Sequence, residues 1–282
     1  MKTLSVSEWQ ELFDAHRRNA ETFTAAHLAR RRKAEIHPVY DFLFDYYPIS
    51  PGKLARWHPG RGIALEGDPP HSHWRDYIRT ESGVTVDIHA FWKRRGTTIA
   101  YIRSLLEKTQ TNPTHFDCFG LHEWAMVYQT ESPRHNLPLR LGVKGTNDVV
   151  ESHRIRCTHY DAFRFFTPAA RPLNFHVLQR EDQPEFDQSG CLHATMDLYK
   201  WAAKLGPLVP GELWLKTFEL ARDVRILDME ASPYDCREYG FHIVAIETPE
   251  GKAEYVQRQR QLAERAAPLR QLLIDLCTKP TI

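Results

Sequence analysis

The chain has 282 residues, 42% of them apolar and 26% charged, which supports a sizeable core and excludes a disordered or fibrous protein. Its 37 basic and 36 acidic side chains leave a formal charge of +1, so nothing global favours non-specific duplex binding. No apolar run approaches the roughly 18 residues of a membrane span, MKTLSVSEWQELF lacks a signal-peptide core, and five scattered cysteines without a CxxC pair exclude a disulfide framework or a cysteine zinc knuckle.

Along the chain, Trp9, Leu12, Phe13, Phe23, Ala26 and Leu28 recur at helical spacing between Ser5 and Glu35, and Arg30 to Lys33 suit a helix C-terminus. His37–Pro38 restarts the chain, because a residue before proline is driven out of the α region. Pro38 then fits the first turn of a helix through VYDFLFDYY. Residues 48–85, rich in Pro, Gly and His, predict a long irregular segment with a short strand at Ile63–Glu66. A helix follows over Val86–Lys108, and Phe116–Gln129 reads as a buried helix carrying His122 and Glu123. Residues 131–192 are a second irregular stretch with several prolines. Helices are predicted over Leu192–Leu205, Pro210–Ser232 and Gly251–Cys277, with short strands near His242–Glu247 and Leu139–Val143. The reading is a mainly α chain, a single globular helical domain over 1–282 with long loops and at most a few short strands. It comprises an N-terminal helix (1–36), a core carrying the site (37–248) and a C-terminal helix (249–282).

Histidine is the compositional outlier at fifteen residues, and imidazole is both the commonest metal ligand and the commonest acid–base group near neutral pH. Five constellations carry the candidate chemistry. In His37-Pro-Val-Tyr-Asp41, followed by Arg56-Trp57-His58-Pro59, His37 stands at a helix N-cap and is either a ligand or simply the cap. In Phe119-Gly-Leu-His122-Glu123-Trp-Ala-Met-Val-Tyr128, apolar neighbours surround a His-Glu pair. A buried carboxylate needs a cation, a metal or a donor, so Glu123 is a general base, a ligand or half of an internal ion pair.

In Glu151-Ser-His153-Arg-Ile-Arg156-Cys-Thr-His159-Tyr-Asp161-Ala-Phe-Arg164, an extended backbone puts His159 and Asp161 on one face. Arg156 and Arg164 among aromatics suit an anionic or planar ligand. In Gly190-Cys-Leu-His193-Ala-Thr-Met-Asp197-Leu-Tyr-Lys200, the polar residues fall at i, i+4 and i+7, one stripe of a helix. Residues 213–229 are apolar almost all round a helical wheel, which places Arg222 among Leu215, Phe218, Ile226 and Met229 as a buried, paired arginine. Neither a phosphate-binding Gly-rich loop, a dinucleotide fingerprint nor a Gly-x-Ser-x-Gly elbow is present, so no nucleotide cofactor is indicated.

As a set, HPVYDFLFDYY with RWHPG, FGLHEWAMVY, VESHRIRCTHYDAFRFFTPAARPLN, GCLHATMDLYKWAAKL, ARDVRILDMEASPYD and ETPEGKAEY resemble, over roughly residues 25–275, an actinobacterial family of about this length whose members are labelled 3-methyladenine DNA glycosylase. The resemblance implies a DNA partner, a carboxylate from Glu123 or Asp161 that stabilises cationic character at the sugar, and a stacking face from Trp57, Tyr128, Phe165 or Trp201. The glycine hairpin and following Asp of helix-hairpin-helix glycosylases are missing from the sequence.

Two enzymatic expectations therefore stand side by side, with a non-catalytic binding protein as the third. The first is a cytoplasmic enzyme with a His/carboxylate centre holding iron, manganese or zinc. His37, His122, His159, His193 and Asp197 would be its ligands, and Glu123, Asp161 and Lys200 its catalytic groups. Arg56, Trp57, His58, Tyr128, Arg156, Arg164 and Arg222 would bind a small or anionic substrate. The second is the base-excision glycosylase.

Overall fold

A computed structural model describes residues 1–279. Helices hold 58% of the residues and one four-stranded sheet 6%, so the fold is mainly α, with eleven α-helices among the described residues.

Strand β1 (Lys2–Leu4) leads into α1 (Val6–Arg32), whose start is fixed by a capping box: Ser5 accepts from the Glu8 amide and Glu8 reaches back to the Ser5 amide. Arg30, Arg31 and Arg32 close α1, where cations suit the helix dipole. Two single-turn helices follow, α2 (Phe42–Asp45) and α3 (Pro51–Leu54), the latter capped by Ser50 with proline at its first position. Strands β2 (Ile63–Leu65), β3 (Tyr77–Thr80) and β4 (Gly83–Val86) join β1 in the order β1-β2-β4-β3, with only the β1–β2 pair parallel. The remaining helices are α4 (Ile88–Thr111), α5 (Leu121–Ala125), α6 (Gly142–Ser152), α7 (Tyr160–Phe163), α8 (Gln183–Phe186), α9 (Leu192–Leu205), α10 (Gly211–Glu230) and α11 (Pro249–Leu276).

The residues gather into two compact units. The first comprises Met1–Ser104, Leu198–Glu219 and the chain from Leu269, and the second Leu105–Asp197 with Leu220–Pro268. In the first, Leu4, Trp9, Trp57 and Leu65 form a buried cluster against which Phe13 and Ile63 pack. In the second, Trp124, Met229, Tyr234, Val244 and Tyr255 are buried, and the Trp124 indole N–H donates to the Ala231 carbonyl at 2.9 Å.

Six predicted elements differ, the first being the helix from Pro38 through VYDFLFDYY, of which only Phe42–Asp45 is helical. The segment 48–85 is less irregular than its Pro and Gly content suggests, because β2, β3 and β4 pair there. The helix expected over Phe116–Gln129 shrinks to the five residues of α5: Phe119 and Gly120 enter it at φ 46° and 70°, and Gln129 leaves the segment at φ 49°. Residues 131–192 contain α6, despite two glycines and an asparagine of poor helix propensity, because Thr146, Val149 and Val150 bury one face. The strands expected near 139–143 and 242–247 do not form; Leu139 makes an isolated bridge to Tyr234.

Candidate functional site

Two groups of side chains in the second unit bring imidazole and carboxylate atoms within 4.8 Å of one another: His122, His193 and Asp228, and His159, Asp161 and Asp197. Each has the residue types and the compactness to hold a metal ion.

His159 is the N-cap of α7, its backbone still extended (φ −103°, ψ 116°), and Asp161 lies in the first helical turn. The break between cap and helix brings their ligand atoms together where a continuous helix would part them. His159 Nδ1 donates to Asp187 Oδ1 at 2.8 Å, and Asp187 Oδ2 accepts from Gln183 Nε2 at 2.9 Å. That pairing turns Nε2 to the other side of the ring, 3.6 Å from Asp197 Oδ2. A carboxylate behind an imidazole, fixing its tautomer, is the usual support of a metal-ligating histidine. Asp161 Oδ1 lies 3.2 Å from Arg164 Nε and 3.6 Å from Arg180 Nη2. Both guanidiniums are partly exposed and lie over aromatic rings, Arg164 over Phe165 at 4.4 Å and Arg180 over Tyr160 at 5.2 Å. Arg134 also lies over Phe165, at 3.9 Å.

The other group is already charge-balanced. Asp228, fully buried on α10, pairs through Oδ1 with His122 Nε2 at 2.8 Å and accepts from Arg225 Nη1 at 2.6 Å through Oδ2. Arg225, 1% exposed, also donates to Glu123 at 3.1 Å, and its Nη2 lies 3.3 Å from His135 Nε2. Burial alone would lower the pKa of His122, but the Asp228 carboxylate outweighs it and lifts it to about 10. The His193 ring stands edge-on to His122 at 4.5 Å, and burial together with the His122 charge drives its pKa well below the ordinary value. Adjacent imidazoles thus carry opposite proton states. Burial and the Asp228 charge raise Glu123, against Arg225. Burial and Arg225 lower His135 to about 4.

The chain matches no family model, no curated protein and no solved structure. Its chemistry has to be read from its own side chains.

Of the residues singled out from the sequence, His122, Glu123, His159, Asp161, His193 and Asp197 belong to these two groups or border them. His193 and Asp197, one helical turn apart on α9, serve different groups rather than one. His37 is in the first unit, where Nδ1 accepts the Val39 and Tyr40 amides at 3.2 and 3.1 Å; it caps a turn. Its expected partner Asp41 is buried against His27 (2.8 Å) and Arg30.

Arg56, Trp57, His58 and Lys200 also belong to the first unit. Trp57 is part of the buried cluster rather than an open stacking face. His58 Nδ1 pairs with the Tyr77 hydroxyl at 2.8 Å, Arg56 covers Trp74 at 5.0 Å, and the Lys200 ammonium sits over Trp201 at 4.5 Å. In the second unit, Arg156 donates to Asp117 at 2.6 Å and the Tyr128 hydroxyl to Glu151 at 3.0 Å. Arg222 is not the buried arginine of α10: its side chain is 35% exposed beside Asp223. That role belongs to Arg225.

Sequence reasoning missed Asp187, Arg225, Asp228 and Arg180. Arg225 and Asp228 sit three apart on the helix recognised as apolar all round, which was the available signal. Asp187 and Arg180 lie in a segment without periodicity, and nothing local marked them.

Proposed function

We propose that the protein is a metal-dependent enzyme acting on a small anionic substrate, with a divalent cation held by His159 Nε2, Asp161 and Asp197. The observation that carries this reading is the buried Asp187–His159–(Asp161, Asp197) arrangement. One imidazole and two carboxylates converge within 4.8 Å, and a third carboxylate lies behind the imidazole at 2.8 Å. Two buried carboxylates this close repel each other, and a cation between them offsets that cost. Mixed oxygen and imidazole donors suit manganese, iron or zinc.

The His122, His193 and Asp228 group is the weaker host. A divalent ion there would sit beside the Arg225 guanidinium, 2.6 Å from Asp228 Oδ2, and would have to displace the proton of His122. A bound cation would supply Lewis acidity and an acidified water. Arg164 and Arg180, half in solvent at the Asp161 edge, supply the charge that would orient an anion.

The test is elemental analysis of protein purified without chelator. About one equivalent of a transition metal is expected, falling below a tenth in His159→Ala and Asp197→Asn. In the wild type, added metal at about a hundredfold excess over its Kd should stabilise by about 2.7 kcal/mol. A wild type with less than a tenth of an equivalent, and no thermal shift with manganese, iron(II) or zinc, would sink the proposal.

A further inference from the structure

The chain around α7 is unusually basic. Residues 152–180 hold five arginines and a single carboxylate, Asp161, in a protein whose formal charge is only +1. One of the five, Arg156, is committed to Asp117 at 2.6 Å. Arg164 and Arg180 share Asp161, with Nε and Nη2 at 3.2 and 3.6 Å from the same oxygen. Arg171 Nη2 donates to the Arg164 carbonyl at 3.5 Å and makes no ion pair among the described residues.

A further guanidinium comes from a distant part of the chain. Arg134 lies over Phe165 at 3.9 Å, the ring that Arg164 also covers at 4.4 Å. It also donates to the Met126 sulfur at 4.0 Å, and it too makes no ion pair among the described residues. The carboxylate it acts on from further away, Glu123, is already paired with Arg225. Two cations this close to one ring centre are no further from each other than twice that distance, where like charges repel. The negative face of the ring offsets part of the repulsion and leaves a positive surplus. A guanidinium over a ring engages it with its face and keeps its N–H edge for an oxyanion.

We propose that Arg134, Arg164 and Arg180 bind the phosphate of a small phosphate monoester, the substrate class of the metal-dependent reaction. The assignment rests on the metal-site reading for its place. Asp161 is both a proposed metal ligand and the carboxylate shared by Arg164 and Arg180, so an anion held by these arginines lies beside the cation. The class follows from charge and donor count. A carboxylate brings one negative charge and two oxygens. A monoester phosphate brings nearly two charges near neutral pH and three terminal oxygens, which suit three forked donors from three segments. A phosphodiester has one charge and two free oxygens, and matches the site less well. When a metal takes the Asp161 oxygens, Arg164 and Arg180 lose that carboxylate and the positive surplus grows, so cation and phosphate reinforce each other.

The experiment is calorimetric titration of the full-length, chelator-treated protein at low ionic strength and about pH 8. Phenylphosphonate is the dianionic probe, and benzoate and dimethyl phosphate are the monoanions. About one equivalent of phenylphosphonate is expected to bind, at least tenfold more tightly than either monoanion. Arg134→Gln and Arg180→Gln should each weaken it about tenfold, with unchanged melting temperature and unchanged metal content. Arg134→Lys should recover only part, since it keeps the charge and loses the fork. Arg17→Gln, which removes a guanidinium from over Phe13 on α1, should leave binding unchanged. Asp161→Asn removes a proposed metal ligand yet should tighten phosphonate binding about threefold, because it releases Arg164 and Arg180. No metal is present in this titration, so the phosphate site and the metal site fail separately. No saturable binding, equal affinity for phenylphosphonate and benzoate, equal losses in Arg134→Gln and Arg17→Gln, or weaker binding in Asp161→Asn would each overturn the assignment.

Discussion

Two arginines three residues apart on one helix have opposite fates. Arg225 is closed off from solvent between Glu123 and Asp228, while Arg222 shares solvent with Asp223. Removing the buried guanidinium strands two carboxylates in a dry interior, a cost of about 3–5 kcal/mol. Losing the exposed one removes a screened pair worth about 0–1 kcal/mol. Arg225→Met should therefore lower the urea midpoint far more than Arg222→Met, whose effect should be close to zero. Adding Glu123→Gln to Arg225→Met should recover part of the loss, because one of the stranded charges disappears; the double-mutant cycle reads that coupling directly. Equal effects of the two arginine substitutions would contradict the burial argument. The helical wheel of α10 could not separate these arginines, since a helix apolar on nearly every side does not indicate which cation faces inward.

At the scale of elements, the long periodic helices were legible and the short ones were not. Helices α1, α4, α9, α10 and α11 follow from apolar spacing, caps and prolines in the sequence. The one-turn helices α3, α7 and α8 carry too few residues for a period to register, and the helix read through VYDFLFDYY survives only as the single turn of α2. Yet α7 and its cap hold two of the three proposed ligands, so the residues His159 and Asp161 were recognisable while the geometry joining them was not. The sheet hid for a related reason: its strands have only three or four residues, and its hairpin depends on a glycine. Gly83 has φ +118°, and a Cβ there would sit 2.4 Å from the Leu65 carbonyl oxygen, inside the β2–β4 pairing. Gly83→Ala should cost roughly 2–4 kcal/mol, since strain and a backbone clash act together. Gly52→Ala, in α3 with nothing within 4 Å and no positive φ, should be neutral or stabilising by up to about 1 kcal/mol. Thermal melts of the two variants separate these outcomes, and a Gly83→Ala protein as stable as wild type would refute the clash.

Over the whole molecule, several of the histidines that stand out in the composition are held in opposite proton states by their surroundings. His122 is held charged by Asp228, whereas in the first unit the half-buried His58 and the buried His71 are neutral, with pKa values lowered to about 3 and 4. Burial is the main cause in both. The His58 pKa is lowered further by His71, Arg56, His16 and Lys53, and Tyr77 hydrogen-bonds to its ring without offering a negative charge. His71 Nε2 must donate to the Trp57 carbonyl at 3.0 Å, which the neutral ring already does. The unfolded chain takes up these protons near pH 6.5 and the folded chain only near 3 to 4, so the unfolded state binds more protons in between. Their stabilising effect is complete above about pH 6.5 and is lost as the pH falls through that window. By pH 5 each histidine should have cost about 1–2 kcal/mol relative to pH 7.5. The urea midpoint should drop accordingly between pH 7.5 and 5. His71→Gln, which keeps an amide donor for the Trp57 carbonyl but cannot titrate, should remove its own share of that drop, about 1–2 kcal/mol. A midpoint that is flat across this range, or a slope unchanged in His71→Gln, would mean that these rings are hydrated enough to protonate in place, and that the first unit owes none of its acid sensitivity to them.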